Sequence, residues 1–541
     1  MRKLLFAIAL LFPMIAFCQI TSLNYQGTED TFNNHRVILD KEGKLLPWYQ
    51  PSAYAYDQFL HQRWNFIKTQ VPNAPGPGST ARFPAYYFFC AYDLEGDILK
   101  PSYWMNDIGE KIPNWFESAR LYYTYTGDTS VMKIIKDMAD YHLKNGVSPS
   151  NFSWPYFPFA TADAGDSLYR GFTTTERFRL YETQIDHSGD IALAWLNLYL
   201  FYNEKKYLDA ALKVADLLAL KVRPGSLTKS PWPYIVNLQT GESRDEFGTN
   251  WMGCYGLLNK LADMNVGNVA SYRKACKYVK DFLLQYPLQT GYWVDGHSDN
   301  FVNNPSYKSN LSKSNFVLYL FDNADFDSNW KKYVPNLFEW TEKYFIKRSA
   351  PGEPGNLWGA DIVGEQDSFM YKMDYQTARH AAECARWFAV SGDQKFKDKA
   401  FRSLNFVTYC SDSNGRANES PLSKGISNWW SDCYGECPRM FYHVFAAIPE
   451  WAPPGENHIL YSASILNNVT YAPKSISYNA AEEEGVEYIH VNFKPGIILL
   501  NKKPLALKSS KLTEGYSIKH LRNNDYAIQI FRDHKGIVEV K

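Results

Sequence analysis

The chain has 541 residues, enough for one large domain and a smaller one at roughly 150 residues per domain. Hydrophobic residues make up 45% and charged residues 21%, which excludes wholesale disorder and a polytopic membrane protein. Lys+Arg and Asp+Glu are 57 each, so the formal charge is zero and the electrostatic footprint of a nucleic-acid binder is missing.

Arg2 and Lys3 precede an apolar run from Leu4 to Phe17, which is shorter than the ~20 residues of a spanning helix and fits a signal-peptide core. Ala16 and Cys18 take the small-residue positions before a cut that leaves Gln19 first, so residues 1–18 read as a signal peptide. The rival is a lipid anchor on Cys18, against which the bulky Phe17 counts. No later segment is apolar enough to span a membrane, and the expected product is exported, periplasmic or extracellular.

Residues 19–455 repeat one helical grammar, with apolar residues at the i, i+3, i+4 spacing of amphipathic helices. An unpaired helix of outer type spans Ala53 to Lys68. Five hairpins follow: 115–125 with 131–143, 191–202 with 207–220, 253–264 with 270–284, 309–320 with 330–345, and 375–390 with 396–409. A last inner-type helix spans Pro438 to Ile448, and packing the first helix beside it closes six inner and six outer helices into an (α/α)6 toroid. Inner-to-outer links are short, whereas the outer-to-inner links 144–186, 221–250, 285–307, 346–374 and 410–436 are long and emerge together on one face. They carry Trp154, Trp232, Trp293, Trp358, Trp429 and Trp430. Together with Trp251 and an aromatic content of 16%, this predicts a cleft on which sugar rings stack.

Pro453, Pro454 and Gly455 mark a boundary, after which 475–479, 488–493, 496–500, 516–521, 526–531 and 537–540 read as short strands. Residues 456–541 are therefore expected to form a small β-sandwich.

Glycoside hydrolysis needs two carboxyl groups across the scissile bond. The loop face offers Glu182, Asp186, Asp245, Glu246, Asp295, Glu365, Asp367, Asp374 and Asp432. Asp186, Asp374 and Asp432 stand where inner helices begin, and an aspartate there caps a helix or points into the cleft; spacing does not separate the two. Asp186 is crowded by His187 and Glu182, and crowding is how pKa values are driven apart. Asp186 with Glu246 or Glu365 is the expected catalytic set. Arg170, Arg177, Arg179, Arg223, Arg244, Arg348 and Arg416 in the long loops suit an acidic glycan, since a guanidinium grips a carboxylate bidentately. Arg179, Arg244, Glu182, His187, His297, Tyr371 and the tryptophans complete the expected substrate contacts. Cys433 and Cys437 are a C-x3-C pair without a matching second pair, which gives weak support to a zinc site and leaves a disulfide open in an exported protein; no metal site and no cofactor is expected.

The six hairpins, the export signal, the segments Trp154-Pro155-Tyr156 and Trp232-Pro233-Tyr234 and the trailing β-domain resemble the six-hairpin glycosidase superfamily. Within it the combination looks like secreted bacterial enzymes active on uronic acids, such as β-glucuronidases and unsaturated glucuronyl hydrolases. Asp186-His187 at the start of an inner helix is similar to the placement of a catalytic aspartate in the latter. The resemblance implies a toroid with its cleft on the long-loop face. The same toroid serves lyases, for which Tyr181, Tyr255, Tyr371, His187, His297, Asn250 and Arg244 are the candidates, and a non-catalytic glycan binder is the third reading.

Overall fold

The computed structural model describes residues 31–32, 35–75, 82–95, 98–102, 104–171, 179–294, 308–346, 356–364, 373–418, 428–508 and 513–541. The expected signal peptide, Cys18 included, lies outside them. Among the described residues no helix is long and apolar enough to cross a membrane.

The helices are α1 (Ala55–Thr69), α2 (Ile108–Thr126), α3 (Ser130–Asn145), α4 (Ile185–Tyr202), α5 (Lys205–Lys221), α6 (Met252–Asp263), α7 (Val269–Gln285), the single turn α8 (Pro287–Thr290), α9 (Asn310–Asp322), α10 (Trp330–Tyr344), α11 (Met373–Ser391), α12 (Gln394–Thr408) and α13 (Cys437–Ala447). Helices α2, α4, α6, α9, α11 and α13 touch in that order, and α13 returns to α2, so they form a closed inner ring. Hairpin partners α3, α5, α7, α10 and α12 lie outside them, and α1 fills the sixth outer position between α12 and α13. Chemistry sorts the layers. Helix α4 is apolar nearly all round and is buried from Ile185 to Leu198 except for two positions, whereas α3 buries one stripe of Val131, Met132, Ile135, Met138, Ala139 and His142. The tight links are made by residues that tolerate left-handed backbone: Gly127 (φ 79°) ends α2 and Asn203 (φ 57°) ends α4.

Two helices begin earlier than their periodicity suggests. Helix α2 starts at Ile108 and admits Pro113 in its interior. Helix α4 starts at Ile185, which places Asp186, His187 and Asp190 inside the helix.

The C-terminal strands form two antiparallel sheets. One orders His458–Ser462, Gly485–Val491, Tyr526–Arg532 and Gly515–His520; the other orders Leu466–Ala472, Ser475–Ala480, Gly536–Val540, Ile498–Leu500 and Lys503–Pro504. Strand His458–Ser462, buried at every position, shows no alternation and so carries no period-2 signal. These sheets cover one end of the ring. Arg120 of α2 donates to the Ser462 carbonyl (2.8 Å), Asn467 reaches the Phe201 carbonyl at the end of α4 (3.3 Å), and Lys260 of α6 pairs with Glu482 (2.9 Å). Tyr461 is the hub: its hydroxyl donates to Asp322 of α9 (2.5 Å), Arg386 of α11 lies over its ring, and His443 of α13 packs on it. All six inner helices thus meet the sheets near their C-terminal ends, and the long loops occupy the opposite end.

Candidate active site

At the long-loop end, the N-termini of the inner helices converge. Asp107 caps α2, accepting from the Glu110 amide (3.3 Å). A short strand, Glu182–Gln184, paired with Ile235–Asn237, feeds the chain into α4. Gln184 occupies the cap position of α4, so Asp186 is not a capping residue and sits in the first helical turn. Its side chain is buried there.

Around this end a chain of polar contacts visits every inner helix. His187 Nδ1 lies 3.6 Å from Asp107, and its Nε2 lies 3.8 Å from both Glu110 and Asp186. Asn250, just before α6, donates to Asp186 (3.3 Å), and Asn315 of α9 donates to Asn250 (2.9 Å). Arg379 of α11 donates to Asn315 (2.8 Å) and to Glu436, which also receives Arg439 of α13 (3.1 Å from Nε). Gly109 permits the α2–α4 approach: a Cβ there would lie 2.7 Å from the His187 Cβ.

The electrostatics of this belt divide its acids. Burial by itself would drive His187 toward neutrality, but Asp186, Asp107 and Glu110 surround the ring and raise its pKa well above the ordinary histidine value. One turn on, Asp190 is half-buried, lies against Gly253 of α6 and feels the charge of Arg439. Burial pushes its carboxyl up to about 8, with Asp186 and Glu110 adding to the rise and His187 and Arg439 opposing it. Asp190 therefore carries its proton at neutral pH. Asp374, in the first turn of α11, is pushed up to about 6 by burial, against the pull of Arg63 3.9 Å away. Asp107, Glu110 and His187 bring one donor atom each within 4.8 Å of one another, a grouping the sequence did not suggest.

Other expected site residues are placed differently. Glu246 pairs with Arg223 (2.5 Å) and accepts from Ser243, which holds its carboxyl below the usual range against the effect of burial. It belongs to a local ion pair rather than to the belt. Glu182 is buried and pairs with Arg244 (3.1 Å), and the Arg179 amide also donates to it (2.8 Å). The Arg179 side chain is exposed. Trp232, Trp251, Trp293 and Trp430 correct the expectation of an aromatic cleft at those positions, because each is fully buried. Trp232 Nε1 donates to the Leu218 carbonyl (2.9 Å) and Trp251 Nε1 to the Gly248 carbonyl (2.7 Å), which pins loops onto helices. Trp293 packs on Phe316, and Trp430 on Tyr92 and Tyr434. Trp358 and Trp429 are half-buried, and Trp429 meets Trp104 edge-on at 5.4 Å. Glu365, His297 and Tyr371 lie outside the described residues. All seven described cysteines are free, so Cys433 and Cys437 do not pair.

The residues that sequence reasoning passed over are Asp107, Glu110, Asp190, Asn315, Arg379, Glu436 and Arg439. Asp190 left a signal: it is an acid one turn from Asp186 on a helix that is otherwise apolar all round.

No family model and no curated relative matches this chain. Solved structures similar to it include a cellobiose 2-epimerase from Spirochaeta thermophila DSM 6192, at 9% identity over 73% of this chain and 98% of that chain with a TM-score of 0.49. A D-mannose isomerase is similar at 11% identity, 73% and 96% coverage and a TM-score of 0.49. An unsaturated glucuronyl hydrolase specific for heparin is similar at 9% identity, 73% and 96% coverage and a TM-score of 0.44. The toroid of this chain stands on its own helix contacts, independently of these likenesses.

Proposed function

We propose that the protein is an exported carbohydrate-active enzyme, a glycoside hydrolase that cleaves a uronic-acid-containing oligosaccharide in the long-loop end of the ring. The observation that carries this reading is the pair Asp186 and Asp190, one helical turn apart on α4, of which Asp190 is half-buried with its carboxyl pushed up to about 8. Asp190 donates its proton to the glycosidic oxygen as the bond to the anomeric carbon breaks. Asp186, steadied by Asn250 and beside His187, takes the proton of the water that adds to that carbon. Arg439, half-buried near Asp190, and the converging helix N-termini favour an anionic sugar.

Proton abstraction from carbon, the chemistry of a lyase or an epimerase, asks for an unprotonated base. His187 is held protonated by its carboxylates, and Tyr255 packs against Tyr319 and Phe326 with its phenol pushed up by burial. Both observations favour hydrolysis.

The test is incubation with a panel of uronic-acid-containing glycans, reading new reducing ends and the ultraviolet absorbance of a ring double bond together. Reducing ends without absorbance, lost by about 100-fold or more in Asp190→Asn and Asp186→Asn, are expected. Absorbance rising with reducing ends on saturated substrates would establish a lyase instead, and binding without either signal would establish a glycan binder.

A further inference from the structure

Away from the ring axis, α1 and the residues entering the C-terminal sheets bring four side chains of metal-ligand type together. Asp57 and His61 stand one turn apart on α1; Glu456 and His458 are alternate residues where the first C-terminal strand begins. His61 Nε2 lies 3.2 Å from Asp57 Oδ1, and His458 Nε2 lies 3.0 Å from Glu456 Oε2. Donor atoms of Asp57, Glu456 and His458 all fall within 4.8 Å of one another. Neighbouring ligands around a tetrahedral cation with bonds of about 2.0 Å are about 3.3 Å apart, so the His458–Glu456 edge is already close to that length.

The ring nitrogens are oriented for ligation. His458 Nδ1 is 2.8 Å from the Tyr125 carbonyl, which only accepts, so Nδ1 carries a proton and Nε2 is the nitrogen that faces the cluster, where a cation would take the place of the proton it shares with Glu456. His61 Nδ1 contacts the Tyr122 hydroxyl at 2.7 Å, which leaves Nε2 facing Asp57. The Tyr125 hydroxyl donates to Asp57 (2.9 Å) and fixes that carboxylate in turn. A hydrogen bond on the far nitrogen is how metal-bound histidines are held. The Asp57 and His458 side chains are 13% and 10% exposed and anchor the site, whereas Glu456 and His61 are 45% and 46% exposed and leave it open to solvent. With the imidazole neutral, one imidazole and two carboxylates carry a charge of −2, which a divalent cation neutralises.

We propose that Asp57, Glu456 and His458 form a structural site for a divalent transition metal of the zinc class, with solvent completing the coordination. An imidazole donor favours such an ion over magnesium or calcium, which prefer oxygen. Its role follows from its place. Helix α1 is the one outer helix without a sequence-adjacent hairpin partner, and the site bolts it to a segment roughly 400 residues away, closing a very long loop.

The experiment uses the full mature chain, stripped by a chelator and titrated with Zn²⁺ and with Co²⁺ as a spectroscopic probe. One equivalent is expected to bind, with a visible Co²⁺ band of tetrahedral intensity and a raised thermal midpoint that Mg²⁺ and Ca²⁺ do not reproduce. Asp57→Asn and Glu456→Gln should each weaken binding by about tenfold or more, and the double variant should lose the band. No stoichiometric binding at micromolar metal overturns the proposal. So does undiminished binding in the double variant, which would place the ion at Asp107, Glu110 and His187 instead.

Discussion

Gly253 on α6 faces Asp190 on α4 so closely that a Cβ at position 253 would fall 1.5 Å from the Asp190 carboxyl oxygen. The neighbouring contact repeats the device with the helices exchanged, since a Cβ on Gly189 would fall 2.2 Å from Cys254 Sγ. Two glycines therefore let α4 and α6 meet, and one of them makes the room in which the proposed acid stands. Gly253→Ala is expected to displace the Asp190 carboxyl and lower kcat by about 100-fold. Gly256→Ala is the comparison, because its Cβ would meet only the flexible end of Leu193 at 3.1 Å. Turnover and thermal midpoint measured side by side distinguish lost positioning from lost packing.

Asp190 also predicts an opposition between stability and activity. Its folded pKa of about 8 lies above the ordinary value of 3.8, so the folded protein keeps a proton that the unfolded chain gives up. Below 3.8 both states are protonated and nothing is lost; as pH rises toward 8 the unfolded chain gains by ionising and the fold weakens. Asp190→Asn removes that penalty. With allowance for its partial exposure, the variant should be more stable than the parent at pH 8 by about 1–2 kcal/mol while losing turnover. In the parent, kcat should fall as pH passes 8, where the acid form disappears. Denaturant midpoints across pH and a pH–rate profile check both halves.

Lys313 of α9 and Glu383 of α11 form a fully buried ion pair at 2.8 Å, with side chains 0% and 1% exposed. Lys313→Ala leaves a carboxylate stranded between two inner helices and is expected to cost about 3–5 kcal/mol. Replacing both by Met and Leu should recover most of that loss. Urea unfolding of the single and double variants measures the difference.

The tryptophans separate into two groups by burial, and their variants should do the same. Trp232→Phe keeps the apolar filling but loses the bond to the Leu218 carbonyl, so a loss of about 1 kcal/mol in stability with KM unchanged is expected. Trp429 is half-buried against Trp104, three residues before the α2 cap Asp107. Trp429→Ala should raise KM several-fold on the glycan that is turned over, as steady-state kinetics would show.

The ring was legible because each helix announces itself twice, by a 3.6-residue period and by the Gly or Asn that ends it, as at Gly127 and Asn203. Asp186 and His187 were legible through their crowding. Asp190 was not, because what raises its pKa is burial against another helix, which only the fold supplies. The tryptophans misled for a related reason. A Trp in a long loop marks an anchor point, but whether its ring turns to the helices, as at Trp232 and Trp251, depends on a carbonyl acceptor that only the fold supplies. The arginines behaved likewise: Arg223 and Arg244 are spent on Glu246 and Glu182, and the cations near the axis, Arg379 and Arg439, come from helices. The three proposed metal ligands lay beyond reach because Asp57 on α1 and the pair Glu456 and His458 are ordinary residues until the chain returns.

The sheets cover the C-terminal ends of the inner helices, which leaves the long-loop end as the approach to Asp190. Under the proposed cleavage, product and incoming substrate would take turns at that one doorway, so the length of chain left protruding after each cleavage would set how soon the next one begins.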